Sequence, residues 1–170
     1  MEETSNNFEK DRFYGTKAWQ LRDHRYSIFL LQGYCSKESS VSHIICIANQ
    51  KGGVGKTTTT INLGASLAVA EQKSLVVDCD PQGNATTGTG INKAELSKSL
   101  YHGLIQNESV ESLVLDTELD HFKILPANMD LIGAEVELIS HPNREGLLQE
   151  LLKPLFNEYD YILFDCPPSL

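Results

Sequence analysis

Residues 49–60 read NQKGGVGKTTTT, and their reading decides the fold. The stretch nearly spells the phosphate-binding loop G-x-x-x-x-G-K-[ST]. Gly55, Lys56 and Thr57 fit that pattern, but its first glycine would fall at position 50. There the chain has Gln50, followed by an additional lysine, Lys51. Upstream, HIICIA (43–48) is a short β-branched apolar run that predicts a buried strand. Downstream, TTTTINLGASLAVA carries Ile61, Leu63, Leu67 and Ala70 at helical spacing. Strand, glycine loop and helix in that order are the setting a phosphate loop needs. Gly52, Gly53 and Gly55 let backbone N–H groups close around phosphate oxygens, with Val54 and Thr58 completing the loop. The positive end of the helix points at the same anion. In such a loop Lys56 reaches the β- and γ-phosphates, and the Thr57 hydroxyl ligates Mg²⁺.

Working outward, SLVVD (74–78) predicts a second buried strand, and KAELSKSLYHGLI (93–105) a helix with Leu96, Leu100 and Leu104 on one stripe. FKILPA (122–127) reads as a strand stopped at Pro126, LIGAEVELI (131–139) and REGLLQELLKPLF (144–156) as helices, and YDYILFD (159–165) as a strand. Strands alternating with helices imply βαβ units and right-handed crossovers. The fold class expected is α/β: a doubly wound, mostly parallel sheet with helices on both faces. Residues 1–42 stand apart, with mixed polarity, the only tryptophan (Trp19) and no sustained period. They read as an extension of unassigned role, poorly ordered or helical from about Ala18 to Leu31, with SKESS (36–40) as a linker to the domain at 43–170.

Two acidic clusters follow the loop. In VVDCDPQGN (76–84), Asp78 and Asp80 sit at a strand's C-terminal end, the edge where open α/β sheets bind ligands. Two acids two residues apart can present a carboxylate to a nucleophilic water or, through water, to a metal; Pro81, Gly83 and Asn84 force a loop after them. In YILFDCPP, four mostly apolar residues end in Asp165, the layout of a strand that sets an acid beside Mg²⁺. Cys79 and Cys166 each neighbour a site acid, but nothing in the chain has metal-ligand spacing, so they read as small buried hydrophobes.

The chain has 170 residues, 41% hydrophobic and 22% charged, which suits one folded domain rather than a disordered one. Its net charge of −9 is uneven: residues 1–42 hold 6 acids and 6 bases, and residues 43–170 hold 17 acids and 8 bases. That argues against residues 43–170 holding nucleic acid by their overall field. No apolar stretch is long enough for a secretory signal or a membrane span, and the four cysteines form no C-x-x-C pair, which points to a cytoplasmic chain with reduced thiols.

KGGVGKTT resembles the deviant Walker A motif of the ParA/MinD ATPase superfamily, in which an extra lysine begins the loop. DCDPQGNATTG, ILPANMDLIGAEVEL and YDYILFDCPPSL resemble the ParA/Soj chromosome- and plasmid-partitioning branch, over residues 43–170. The resemblance implies a P-loop NTPase fold that stops after the Walker B strand, so that the chain looks like the N-terminal part of a longer domain. It implies ATP and Mg²⁺ as cofactors, Lys56 as the phosphate lysine, and Thr57 and Asp165 as metal-site residues. Asp80 would orient the attacking water and lie at the metal, with Asp78 in support. Lys51 would cross a dimer interface to the partner's nucleotide. The implied cycle is ATP binding, homodimerisation and non-specific DNA binding through the missing half. A ParB-type partner then stimulates hydrolysis. The protein would be nucleoid-associated when ATP-bound, without membrane attachment. Two alternatives stay open: a MinD-like or other cargo-positioning ATPase, and an inactive fragment.

Overall fold

The computed structural model describes residues 9–13, 16–23, 26–32 and 42–168. In chain order the strands are β1 (Glu9–Phe13), β2 (Thr16–Asp23), β3 (Tyr26–Gln32), β4 (His43–Ala48), β5 (Ser74–Asp78), β6 (Leu115–Asp116), β7 (Phe122–Leu125) and β8 (Tyr161–Asp165). The helices are α1 (Lys56–Val69), α2 (Asn84–Gly88), α3 (Leu100–Gln106), α4 (Leu131–Glu137) and α5 (Leu147–Leu152). All eight strands form one sheet, in the order β1-β2-β3-β4-β8-β5-β7-β6. Its centre, β4-β8-β5-β7, is parallel, and β6 closes one side antiparallel.

The apolar runs alternate between two cores because successive strand residues face opposite sides. Leu75, Val77, Ile162 and Phe164 face the layer of α3, α4 and α5, while Val76, Ile124 and Leu163 face α1 and α2. Both faces of β5 are therefore buried throughout. Helix α1 lies close to the sheet at Gly64, where an added Cβ would come 2.6 Å from the Phe122 ring. The Ser74 hydroxyl donates to the Gly64 carbonyl at 2.9 Å, fixing the same contact.

Over its five strands β4-β8-β5-β7-β6 this is the doubly wound, mostly parallel α/β fold expected, with local differences. The helix expected over 93–105 starts at Leu100. Ser99 is extended and forms a capping box with His102, and residues 93–95 make only a 3₁₀ turn. The segment 144–156 is a short α5 flanked by 3₁₀ turns, the second with Pro154 in its first turn. The loop expected after Gly83 becomes helical at Asn84, and the two-residue β6 went unforeseen.

The helix expected between Ala18 and Leu31 is replaced by β2 and β3. With β1 they form an antiparallel meander on β4, in register Ile28 to Ile47 and Leu30 to Ile45. YSIFLLQ carries Tyr26, Ile28 and Phe29, residue types that favour strands, whereas TKAWQLRD has only Thr16 and Trp19 and takes its place by pairing with β3. The free edge of β4 offers the backbone donors and acceptors that such a strand pairs with. The linker expected at 36–40 lies outside the described residues.

Candidate functional site

Three neighbouring strands, β4, β8 and β5, end at the same level: Ile47 registers with Asp165, and Asp165 with Asp78. The loop after β4, the acid of β8 and the acids after β5 thus meet at the C-terminal edge of the sheet, although 87 residues of sequence separate Asp165 from Asp78. The Cys79 amide donates to the Asp165 carbonyl at 3.0 Å and the Cys166 amide to the Ile47 carbonyl at 3.3 Å, carrying the alignment past the strand ends.

In the loop, Gly53 and Gly55 take positive φ angles of 69° and 91°, a backbone only glycine adopts freely. A Cβ at Gly52, Gly53 or Gly55 would meet nothing within 4 Å, so the backbone there faces open space. Helix α1 begins at Lys56 with no side chain capping its first N–H groups, leaving them for an anion. Lys51 is exposed on the near side of the loop, its amide donating to Asn49 Oδ1 at 2.9 Å. Val54 and Lys56 are partly buried, and Thr58 is exposed.

Asp165 is buried, and two hydroxyls from α1 hold it. Thr57 Oγ1 donates to Oδ2 at 2.7 Å and Thr60 Oγ1 lies 3.1 Å from Oδ1. Burial raises the Asp165 carboxyl above its usual range, the two hydroxyls oppose that, nearby Asp80 adds to it, and nearby Lys56 counters it. Thr57, Lys56, Asp80 and Asp165 therefore share one electrostatic neighbourhood. Thr60 had no place in the sequence reading. It is the fifth residue of α1 and one turn from Lys56, whose carbonyl its hydroxyl also meets at 3.0 Å.

Asp78 is fully buried and turned to its own loop. Its Oδ1 accepts from the Asp80 amide at 3.1 Å, and its Oδ2 accepts from the Thr86 amide and hydroxyl at 2.8 and 2.7 Å. Burial pushes its carboxyl up to about 6, against those hydrogen bonds, which lower it. Asp80 is only partly buried; its Oδ1 accepts from the Gln82 amide at 2.9 Å, leaving the carboxylate near the mouth of the site.

Cys46, Cys79 and Cys166 are free thiols packed against the α3–α5 core, as small hydrophobes would be. Burial pushes Cys46 up to about 12 and Cys166 to about 11, so none is poised as a thiolate. Among the described residues no group of three or more His, Cys, Asp or Glu is arranged to hold a metal by itself. That suits Mg²⁺, which binds through one or two side-chain oxygens together with phosphates and water. Two oxygens 2.7 Å apart, Thr57 Oγ1 and Asp165 Oδ2, beside an open glycine cradle fit such an ion. Among the described residues no helix is long and apolar enough to cross a membrane.

A family model described as AAA domain matches residues 42–170. The chromosome partitioning protein ParA of Myxococcus xanthus is 54% identical over 132 residues, 78% of this chain and 47% of that protein. The sporulation initiation inhibitor protein Soj of Bacillus subtilis is 48% identical over 127 residues, covering 75% and 50% respectively. Among solved structures, cobyrinic acid a,c-diamide synthase from Mycobacterium smegmatis with bound ATP analogue and magnesium superposes with a TM-score of 0.73. It is 38% identical and covers 76% of this chain and 52% of that one. The chain thus spans about half the length of the relatives it matches.

Proposed function

The chain belongs to the AAA-domain family, and on that premise we propose that it is the nucleotide-binding portion of an ATP-hydrolysing DNA-partitioning switch of the ParA/Soj kind. The observation that carries the reading is the convergence of the 51–57 loop, Thr57–Asp165 and the Asp80 loop on one sheet edge. The triphosphate of ATP lies in the glycine cradle, with Lys56 on its β- and γ-phosphates and the α1 N–H groups behind it. Thr57 and Asp165 hold Mg²⁺, with Asp80 close to it; bound there, the ion offsets phosphate charge. Asp80, its amide anchored on Asp78 and its Oδ1 accepting from the Gln82 amide, orients the water that attacks the γ-phosphate.

Lys51 acts on the nucleotide of a second copy in an ATP-dependent homodimer, in the part an arginine finger plays elsewhere. That role explains why the loop carries a second cation beside its phosphate lysine. A ParB-type partner stimulates hydrolysis and so resets the switch. Non-specific DNA is held by surface outside residues 43–170, whose own 17 acids against 8 bases repel the phosphate backbone. The protein works in the cytoplasm, on the nucleoid when ATP-bound.

The test is nucleotide binding followed by thermal melting in Mg·ATP. A ligand that binds only the folded state raises the melting midpoint. Wild type and Asp80→Ala are expected to show the rise and Lys56→Ala to lose it. Hydrolysis is expected in wild type alone. Retained Mg·ATP affinity in Lys56→Ala would sink the assignment.

A further inference from the structure

We propose that Thr86 is the positioning residue for Asp80: its hydroxyl fastens the Asp80 loop to the junction between β7 and α4. The inference rests on the reading of Asp80 given above and adds to it a residue to which the motifs assigned no role.

Thr86 is wholly buried, and its hydroxyl has two partners. It donates to Asp78 Oδ2 at 2.7 Å and accepts from the Ala127 amide at 3.0 Å. Asp78 in turn receives the Asp80 amide on its other oxygen. A single chain of hydrogen bonds therefore runs from Ala127 through Thr86 and Asp78 to the backbone of Asp80. A second contact reinforces it. Gly83 has φ 60° and lies so close to Ala127 that an added Cβ would come 2.6 Å from its carbonyl oxygen. Ala127 is thus held at its amide by Thr86, while its carbonyl lies against Gly83, where only a glycine leaves room. The junction is itself held from the other side: the Leu100 amide donates to the Pro126 carbonyl at 2.8 Å, and the Ser99 hydroxyl to Asn128 Oδ1 at 3.1 Å.

The consequence is geometric. Residues 79–83 lie between β5 and α2, and the loop's own bonds, Gln82 to Asp80 Oδ1 and Gly83 to the Asp80 carbonyl, only shape it internally. The Cys79 amide on the Asp165 carbonyl ties the loop's first residue to β8, and Lys93 Nζ on the Gln82 carbonyl holds its far side; between them the Asp78 carboxylate, with the Thr86 hydroxyl behind it, holds the Asp80 backbone. A valine at 86 keeps the shape of threonine and removes both hydroxyl bonds. It leaves the Ala127 amide buried without a partner, and Asp78 with one donor fewer.

The experiment is amide hydrogen exchange, residue by residue, on wild type, Thr86→Val and Thr86→Ser, with kcat and KM for Mg·ATP measured alongside. The amides of Asp80 and Ala127 lie outside every helix and strand, yet in wild type they are expected to exchange slowly. In Thr86→Val both are expected to exchange roughly tenfold to a hundredfold faster, while amides of β5 and β8 hold their rates. Thr86→Ser keeps the hydroxyl and is expected to stay within about threefold of wild type. In hydrolysis, Thr86→Val should lower kcat with little change in KM, and serine should restore it. Unchanged exchange at Asp80 in the valine variant overturns the proposal, and so does identical behaviour of valine and serine. Should the valine variant fail to fold, fast exchange of the wild-type Ala127 amide overturns it and slow exchange supports it. A wild type that binds no Mg·ATP defeats the nucleotide reading, and the exchange result still decides the latch.

Discussion

Replacing Thr60 by valine tests how the Asp165 carboxylate is held. The Thr60 hydroxyl is fully buried in α1, 3.1 Å from Asp165 Oδ1 and 3.0 Å from the Lys56 carbonyl. Valine matches it in shape and in branching at Cβ, so the change removes little but the hydroxyl. A hydrogen bond to a charged group contributes about 1.5–3 kcal/mol. The Thr57 hydroxyl remains at 2.7 Å on the other oxygen, so the carboxylate keeps one donor and the lower part of that range is expected. For a domain of this size, about 1.5–2 kcal/mol is a fall of about 3–8 °C in Tm. The sign with pH is fixed by the same bond. It favours the ionised carboxylate, so its loss raises a pKa that burial already raises. The stability gap between wild type and variant should be full at pH 7. It should narrow as the pH falls through the folded-state pKa of Asp165, where the carboxyl protonates in both proteins. The assay is urea denaturation of wild type, Thr60→Val and Thr60→Ser from pH 5 to 7.5 at fixed ionic strength. A gap independent of pH, or a serine variant as weak as valine, would refute the reasoning.

Three further outcomes are expected. When inactive Lys51→Ala and Asp80→Ala proteins are mixed, ATPase activity should reappear, since each mixed dimer then holds one site with both groups. No recovery, with mixed dimers demonstrated by pull-down of differently tagged chains in ATP, would exclude action of Lys51 across the interface. Burial raises Asp78 from 3.8 to about 6, so the folded state binds the proton more tightly than the unfolded chain. Wild-type stability relative to Asp78→Asn should therefore fall, by on the order of 3 kcal/mol, as pH rises from about 4 to above 6 in parallel denaturant titrations. A gap that grows with pH would mean that the three donated hydrogen bonds outweigh burial. In a Cys35→Ser background, the thiols of Cys46 and Cys166, at about 12 and 11, should alkylate at pH 8 at least about a hundredfold more slowly than a free cysteine. Mass spectrometry of iodoacetamide adducts would read this, and fast native labelling would refute it.

The parts of the site legible in the sequence are those whose chemistry is local. Gly53 and Gly55 are needed for backbone angles, Lys56 and Thr57 follow them directly, and Asp165 closes an apolar run, so spacing alone marked them. Thr60 and Thr86 stayed hidden because their partners lie 105 and 41 residues away, at Asp165 and Ala127. In TTTT and NATTG nothing separates a threonine that bonds a distant group from one that merely fits a helix. The same holds for the fold. The buried strands announced themselves by β-branched runs, but β3 owes its place to pairing with β4, a partner that periodicity within residues 26–32 cannot reveal. The stripe at Leu96, Leu100 and Leu104 suggested a longer helix than exists because hydrophobic spacing does not register the cap that Ser99 supplies.

Strand β8 is the last of the parallel strands in sequence and yet lies between the first two, β4 and β5. During synthesis β4 and β5 leave the ribosome well before β8, with no direct ladder between them. Until residues 161–165 arrive, each of the two strands exposes an edge of unpaired backbone N–H and C=O groups, and the threonines of α1 lack the carboxylate they will hold. Closing loops that long is entropically slow, so the nascent chain spends its most aggregation-prone interval with that gap open. Insertion of a single strand then joins β4 to β5 and brings Asp165 level with Asp78 and the loop after β4. Anything that competes for the slot between β4 and β5 would delay folding and binding competence together.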